Sequence, residues 1–186
     1  MVYEAERSAE RAVVDVADEQ RLISECRAAA ATGALCVVSI HNHAWLAEWA
    51  QVPEWLAKLA HQCVDVGADA VLVHGAPASG PIEVYHGRPI VYGLGNFVFH
   101  NARPEGYPQR EVWESCLFEA EFDGAKELVN AKLWPMVLQR DGPHRGFPLA
   151  ATAPEAEEIL RRADQQCRPW GSAVVLGGLE GGALHW

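Results

Sequence analysis

Two short apolar runs, each followed directly by histidine, constrain this chain more than any other feature. The first run covers residues 34–40 and precedes His-Asn-His at 41–43, and the second covers 71–73 and precedes His74. Continuous apolar runs of this length are typical of strands covered on both faces of a parallel sheet. Ligands usually bind in the loops at the ends of such strands. We therefore expect the two strands to bring their histidines to one edge of a sheet.

Helical patterns precede both runs. Apolar residues recur at helical spacing after Asp18, a candidate N-cap, as far as Gly33, and again from Pro53 to Gly67. The alternation of helix, strand, helix and strand predicts parallel strands joined by a right-handed crossover.

The second half of the chain has the pattern of antiparallel strands. Residues 82–85 and 89–92 flank a turn, and residues 112–122 alternate between apolar and polar, with Glu114 as an exception on the apolar side. Residues 128–138 are expected to return as the neighbouring strand, and Thr152 begins a last helix with a capping box. The second half therefore adds antiparallel strands to a parallel core.

These patterns divide the chain into three segments. Residues 1–16 are a charged lead-in, residues 17–170 are a partial α/β domain, and residues 171–186 are a Gly-rich tail that we expect to be loosely held. At 186 residues with 49% apolar residues, the chain can bury a sizeable core.

Charge and hydropathy exclude several function classes. A formal net charge of −10 and a pI near 5.2 argue against binding to nucleic acid or to an anionic membrane surface. No apolar run approaches the roughly twenty residues of a membrane helix, and the first residues are charged rather than signal-like. We expect no membrane segment and no export signal within this sequence; by itself this pattern is that of a cytoplasmic protein, and the location stays open.

Five cysteines are present, an odd number with wide spacing and no Cys-x-x-Cys motif: Cys26, Cys36, Cys63, Cys116 and Cys167. They fall on the apolar faces of predicted helices and strands. We therefore predict reduced thiols in the core and no structural zinc-thiolate site.

The histidines at the two strand ends are candidate metal ligands. In an extended segment His41 and His43 share one face, and His74 approaches them if the strands are adjacent. Asn42 takes the other face and is a candidate to contact substrate or to support a ligand. Neutral imidazoles bind divalent transition metals well. The alternative is that each histidine only makes hydrogen bonds near its strand end. We predict a divalent metal ion held by His41, His43 and His74.

Three segments in order carry a family resemblance: VVSIHNH at 37–43, GADAVLVHG at 67–75 and IEVYHGRPIVYGLGNFVF at 82–99. They resemble the C-terminal half of the CapA family of capsule and poly-gamma-glutamate synthesis proteins, which is related to the calcineurin-like metallophosphatases. The resemblance covers roughly residues 20–170. It implies the C-terminal portion of an αββα sandwich with parallel core strands and antiparallel outer strands. It also implies a metal-dependent hydrolase and a location often at the cell envelope.

The resemblance extends to some metal-site positions and not to others. His41 and His74 match the first histidines of two family motifs, the second of which reads Gly-His-x-Pro-His. In this chain Val73, Ala76 and Pro77 stand at that motif's glycine, proline and second histidine. The family's Gly-Asp and Asn-containing motifs have no counterpart before His41. The chain therefore looks like half of a domain, and we expect weak metal binding and association with itself or with a missing segment.

Asn96, Glu83 and a group of tryptophans each allow two interpretations. Asn96 is predicted to hydrogen-bond the loop after His74, or to contact substrate, and Glu83 either orients a histidine or is an exposed strand carboxylate. Trp45, Trp49 and Trp55 either pack in the core or form a platform for a sugar or peptide. Two function classes stay open: a metal-dependent hydrolase of capsule polymer synthesis, and a non-catalytic accessory module.

Overall fold

A computed structural model describes residues 14–101, 103–177 and 181–186. Within these ranges the chain has three α-helices, three short 3-10 helices and nine strands. The α-helices are α1 (Val16–Ala30), α2 (Glu54–Asp65) and α3 (Ala153–Cys167). The strands are β1 (Val37–His41), β2 (Ala70–His74), β3 (Ile82–Tyr85), β4 (Arg88–Val91), β5 (Glu114–Phe122), β6 (Leu128–Leu138), β7 (Pro148–Ala150), β8 (Ala173–Leu176) and β9 (Gly182–His185).

The first sheet, sheet 1, has the strand order β1-β2-β4-β3. β1, β2 and β4 run parallel, and β3 pairs with β4 antiparallel. One face is covered by α1 and α2, where Cys26 and Cys63 pack against Val38 and Val71 in one apolar core. The predicted parallel core is therefore confirmed.

The second sheet, sheet 2, is antiparallel, with the order β5-β6-β9-β8 and β7 paired with β6. A second apolar core joins Ile82 and Val91 of sheet 1 to Leu133 of β6 and Leu160 of α3. Leu117 and other side chains on the opposite face of sheet 2 are exposed. The fold is mixed α/β with two packed sheets; α3 lies with the core between them, and no helix in the described part of the chain covers that outer face.

Helix boundaries follow from capping. The N-cap of α1 is Asp15, whose carboxylate accepts hydrogen bonds from the backbone N–H groups of Ala17 and Asp18. Asp18 is therefore inside the helix, and the predicted start there is wrong by one turn. The Thr152 and Glu155 capping box of α3 is confirmed. The lead-in segment predicted at 1–16 lies outside the described residues up to residue 13.

The Gly-rich tail departs from its prediction. Ala183 and Gly182 of β9 pair with Lys132 and Leu133 of β6, and Leu184 is buried. The tail is held because its alternating apolar side chains complete the inner face of sheet 2, so the expectation of a loosely held segment is wrong for β8 and β9.

The cysteines behave as predicted. All five are free thiols, and four of them are fully buried. Burial raises the pKa of the Cys26 and Cys116 thiols to about 12 and that of Cys63 to about 11. These thiols stay protonated at neutral pH. In the described part of the chain, none of the helices is both long and apolar enough to span a membrane.

Candidate functional site

Three histidines meet where β1 and β2 end. His41 and His74 are register partners at the ends of these parallel strands. The Nδ1 atoms of His41 and His74 are 2.8 Å apart, and the Nε2 atoms of His41 and His43 are 2.6 Å apart. We call His41, His43 and His74 the edge histidines. The structure thus brings together the three residues that the sequence singled out.

Strand geometry explains this meeting. In the parallel register Ser39 lies opposite Leu72 and His41 opposite His74, so these side chains share one face of sheet 1. The Ser39 hydroxyl lies 3.0 Å from His74 Nε2. The polar groups therefore form a chain from serine through His74 and His41 to His43.

Asn42 shapes the turn that returns His43 to this group. Its backbone N–H donates to the carbonyl of His74 at 2.8 Å, and its side-chain oxygen accepts from the N–H of Ala44 at 2.7 Å. Only 9% of Asn42 is exposed. Asn42 therefore stabilises the loop and has its polar groups turned to the backbone.

Gly75 permits the close approach of the two loops. Its φ is +113°, and a Cβ built at this position would lie 2.4 Å from the carbonyl oxygen of Asn42. Any side chain there would push the loop after β2 away from the loop after β1. The spacing of the edge histidines thus depends on a glycine.

The edge histidines supply suitable donors for a metal ion, although as two pairs. His41 directs one ring nitrogen to His74 and the other to His43, on opposite sides of its ring. Two nitrogens bound to one tetrahedral zinc ion at about 2.0–2.1 Å lie roughly 3.3 Å apart. Each pair would have to open slightly to admit an ion. His41 with His74 is the better placed pair, because both residues sit on paired strands.

The rest of a metal centre is not seen. Among the described residues, no group of three or more His, Cys, Asp and Glu side chains is arranged to hold a metal ion. Pro77, at the family's second histidine position, offers only its backbone carbonyl, which accepts a hydrogen bond from Asn96. Metal binding by His41, His43 and His74 therefore stays a prediction.

Asn96 and Glu83, the two other candidate site residues, lie in separate parts of the molecule. The Asn96 amide donates to the carbonyls of Pro77 at 3.1 Å and Val112 at 3.0 Å, which confirms the predicted hydrogen bond to the loop after His74. Glu83 does orient a histidine, but the histidine is His61 of α2, 2.9 Å away. Glu83 is thus not beside the edge histidines, and with its side chain 13% exposed it is not an exposed strand carboxylate.

A cavity of about 370 Å³ opens beside the loop that follows the edge histidines. Its lining comes from that loop, from the loop after β2, from residues 109–111 and from α3: Ala47, Glu48, Trp49, Ala50, Ala78, Gln109, Glu111, Arg162 and Gln166. We call it the Trp49 cavity. None of the edge histidines lines it. Apart from Trp49, no pattern in the sequence pointed to these residues, because they come from four distant segments.

The three tryptophans after the edge histidines have different surroundings. Trp45 lies 5.2 Å from His43 between ring centroids, and Trp55 packs against the core under α2. Trp49 packs partly against Val112 and Trp113 and also lines the cavity. Packing is therefore the role of Trp55, while Trp49 is available to a ligand as well.

The fold and site define a mixed α/β protein with a histidine-lined sheet edge. Comparison with known proteins agrees with the resemblance in the motifs. A family model described as bacterial capsule synthesis protein PGA_cap matches residues 2–101. A probable polyglutamine synthesis accessory protein of Mycobacterium tuberculosis is 37% identical over 164 residues, which cover 87% of this chain and 40% of that protein.

Two further relatives match. An uncharacterized protein of Sinorhizobium fredii is 26% identical over 182 residues, covering 76% of this chain and 39% of its own length. The PGA biosynthesis protein CapA of Bacillus subtilis is 41% identical over 64 residues, 34% of this chain and 17% of that protein. The chain belongs to the bacterial capsule synthesis protein PGA_cap family. It spans about two fifths of the length of the first relatives.

Proposed function

We propose that this chain acts in the synthesis of a bacterial capsule or of poly-gamma-glutamate, as an accessory component whose edge histidines bind one divalent metal ion. The family match supports the process, and the relative from Mycobacterium tuberculosis has a name that supports an accessory role. The observation that carries the metal proposal is the pairing of His41 with His74 across β1 and β2, with 2.8 Å between their Nδ1 atoms.

The edge histidines offer imidazole nitrogens to an ion, but they lack the groups that two-metal hydrolysis needs. Two-metal hydrolases use a bridging carboxylate to hold both ions and a hydroxide that attacks phosphorus. No carboxylate is hydrogen-bonded to an edge histidine in the described part of the chain. We therefore expect one weakly bound ion and negligible phosphodiesterase activity from this chain by itself.

A second candidate is a metal-dependent hydrolase of the metallophosphatase type. It is favoured by the placement of the histidines at the carboxyl ends of parallel strands, where catalytic residues commonly lie. In such an enzyme His41 and His74 would hold the metal and further ligands would come from outside this sequence.

Metal analysis after dialysis tests the proposal. The purified chain is equilibrated with Zn²⁺ or Mn²⁺, dialysed, and its metal content measured beside that of the His74→Ala variant. We expect at most one ion per chain, lost in His74→Ala because only one strand-borne imidazole would remain. His185→Ala is the matched control, since His185 is an exposed histidine at the end of β9.

Hydrolysis of an aryl phosphodiester is measured on the same samples. Activity indistinguishable from the metal-free protein agrees with an accessory role. Two tightly held ions per chain, or hydrolysis that survives His41→Ala, would show that the proposed single-ion site is wrong.

A further inference from the structure

We propose that the Trp49 cavity is a binding site for a neutral carbohydrate, separate from the edge histidines. Its volume of about 370 Å³ falls within the roughly 300–1,000 Å³ that small-molecule sites occupy. One aromatic ring, two primary amides, two carboxylates and a guanidinium line it. An aromatic face packs against the C–H face of a sugar, while amides and carboxylates bind its hydroxyls.

A narrow recess adjoins this cavity and contains buried hydroxyl groups. It shares Glu111, Arg162 and Gln166 with the cavity lining and adds Ser79 and Ser115. Both serine hydroxyls are buried without a hydrogen-bond partner among the described residues, and Ser115 is only 2% exposed. Buried polar groups normally have partners, so these hydroxyls indicate a polar group that enters the recess. The recess measures about 20 Å³, which suits one hydroxyl or one water.

Local charges favour a neutral ligand over an anion. Arg162 donates to Glu114 at 2.5 Å, and Arg110 bridges Glu114 and Glu158, so these two arginines and two glutamates balance. Glu48 and Glu111 remain on the cavity wall and leave a net negative charge there. A carboxylate ligand would be repelled by this wall.

Titration followed by protein NMR tests the proposal. The probes are N,N′-diacetylchitobiose, a neutral sugar with hydroxyl and amide groups, and tri-γ-glutamate, an anion. We expect the neutral sugar to shift the Trp49 indole N–H resonance saturably, with the peak assigned from the Trp49→Phe spectrum. Binding should weaken about tenfold, or about 1.4 kcal/mol, in Gln166→Ala. Trp186→Phe is the matched control, because Trp186 is exposed and outside the cavity.

A charge reversal separates the two ligand classes. The double variant Glu48→Lys, Glu111→Lys should bind tri-γ-glutamate better than the unchanged protein does, while Trp49 still contacts the sugar. Trp49 packs against Val112, so folding of each variant is checked by its amide spectrum. The proposal is overturned if the sugar causes no saturable shift, if only water occupies the recess at every sugar concentration, or if tri-γ-glutamate binds the unchanged protein more tightly.

Discussion

Histidines at the ends of β1 and β2 have different hydrogen-bond partners from the histidine on α2. The edge histidines contact one another and a serine hydroxyl, and His41 and His43 are exposed. His61 of α2 instead lies 2.9 Å from the carboxylate of Glu83, which also accepts a hydrogen bond from the Tyr92 hydroxyl at 2.7 Å. The ring of His61 stacks on Tyr85 with 4.0 Å between centroids. We call His61, Glu83 and Tyr92 the His61 group.

The difference separates a structural histidine from a candidate ligand. A carboxylate partner satisfies His61 in either protonation state, because it attracts imidazolium and accepts from neutral imidazole. The edge histidines have neutral partners, namely each other and the Ser39 hydroxyl, and no carboxylate among the described residues is hydrogen-bonded to them. The His61 group is thus complete by itself, whereas the edge histidines gain from a cation or another ligand.

Gly75→Ala should have the largest effect on stability. It should displace the edge histidines and leave the contacts of the His61 group unchanged. The new Cβ would lie 2.4 Å from the Asn42 carbonyl oxygen at a φ of +113°. We expect a loss of about 3 kcal/mol in the free energy of unfolding and loss of metal binding, because the two loops separate. Urea unfolding and metal titration measure these effects.

Gly142→Ala is the matched control for Gly75→Ala. Gly142 has a φ of +79°, yet no atom of the described residues lies within 4 Å of its Cβ position. Gly142→Ala should lower the free energy of unfolding by only about 1 kcal/mol, because it adds backbone strain without a steric clash. Equal costs for the two variants would mean that the contact between the loops is unimportant.

Glu83→Ala should affect the other region. It leaves the His61 nitrogen and the Tyr92 hydroxyl without their acceptor, and Tyr92 is buried. We expect Glu83→Ala to lower the free energy of unfolding by about 2 kcal/mol and to leave metal binding unchanged.

His41→Ala, at an exposed position, should lower the free energy of unfolding by under about 0.5 kcal/mol and weaken metal binding. The reverse pattern in calorimetry and metal titration would refute the division between the two regions.

A further effect appears only at alkaline pH. Burial, together with the hydrogen bond to Glu83, raises the pKa of Tyr92 above its usual value. A raised pKa means that the folded state favours the neutral phenol, so its contribution to stability is full below about pH 10 and is lost above it. Between about pH 9 and pH 12, the free energy of unfolding should therefore fall less in Tyr92→Phe than in the unchanged protein. The raised cysteine pKa values act equally in both proteins, and identical slopes would count against this assignment.

The sequence predicted the features that depend on local pattern. The apolar runs before His41 and His74 were strands, their parallel pairing followed from the intervening α2, and Asn96 held the loop after β2. The exception at Glu114 was also informative. Glu114 faces inward with 3% exposure because Arg110, just before it in the sequence, and Arg162 of α3 neutralise it.

Features built from distant segments were not predicted. The Trp49 cavity joins four segments, and the two serines of the adjoining recess have no distinguishing pattern in the sequence. The tail was misjudged because glycine content argues for a loop, whereas the buried Leu184 and the pairing of β9 with β6 decide its structure. The association predicted for an open sheet edge stays a prediction.

The position of β1 at the end of sheet 1 has a consequence for hydrogen exchange. The N–H of Asn42 points to β2, so the N–H groups of Val38 and Ile40 point the same way, and those of Val37 and Ser39 point outward. β1 pairs with β2, and its outer edge has no strand partner among the described residues. Amide exchange along this strand should alternate between slow and fast from one residue to the next. A strand that added itself to this edge would slow the fast set and leave the slow set unchanged.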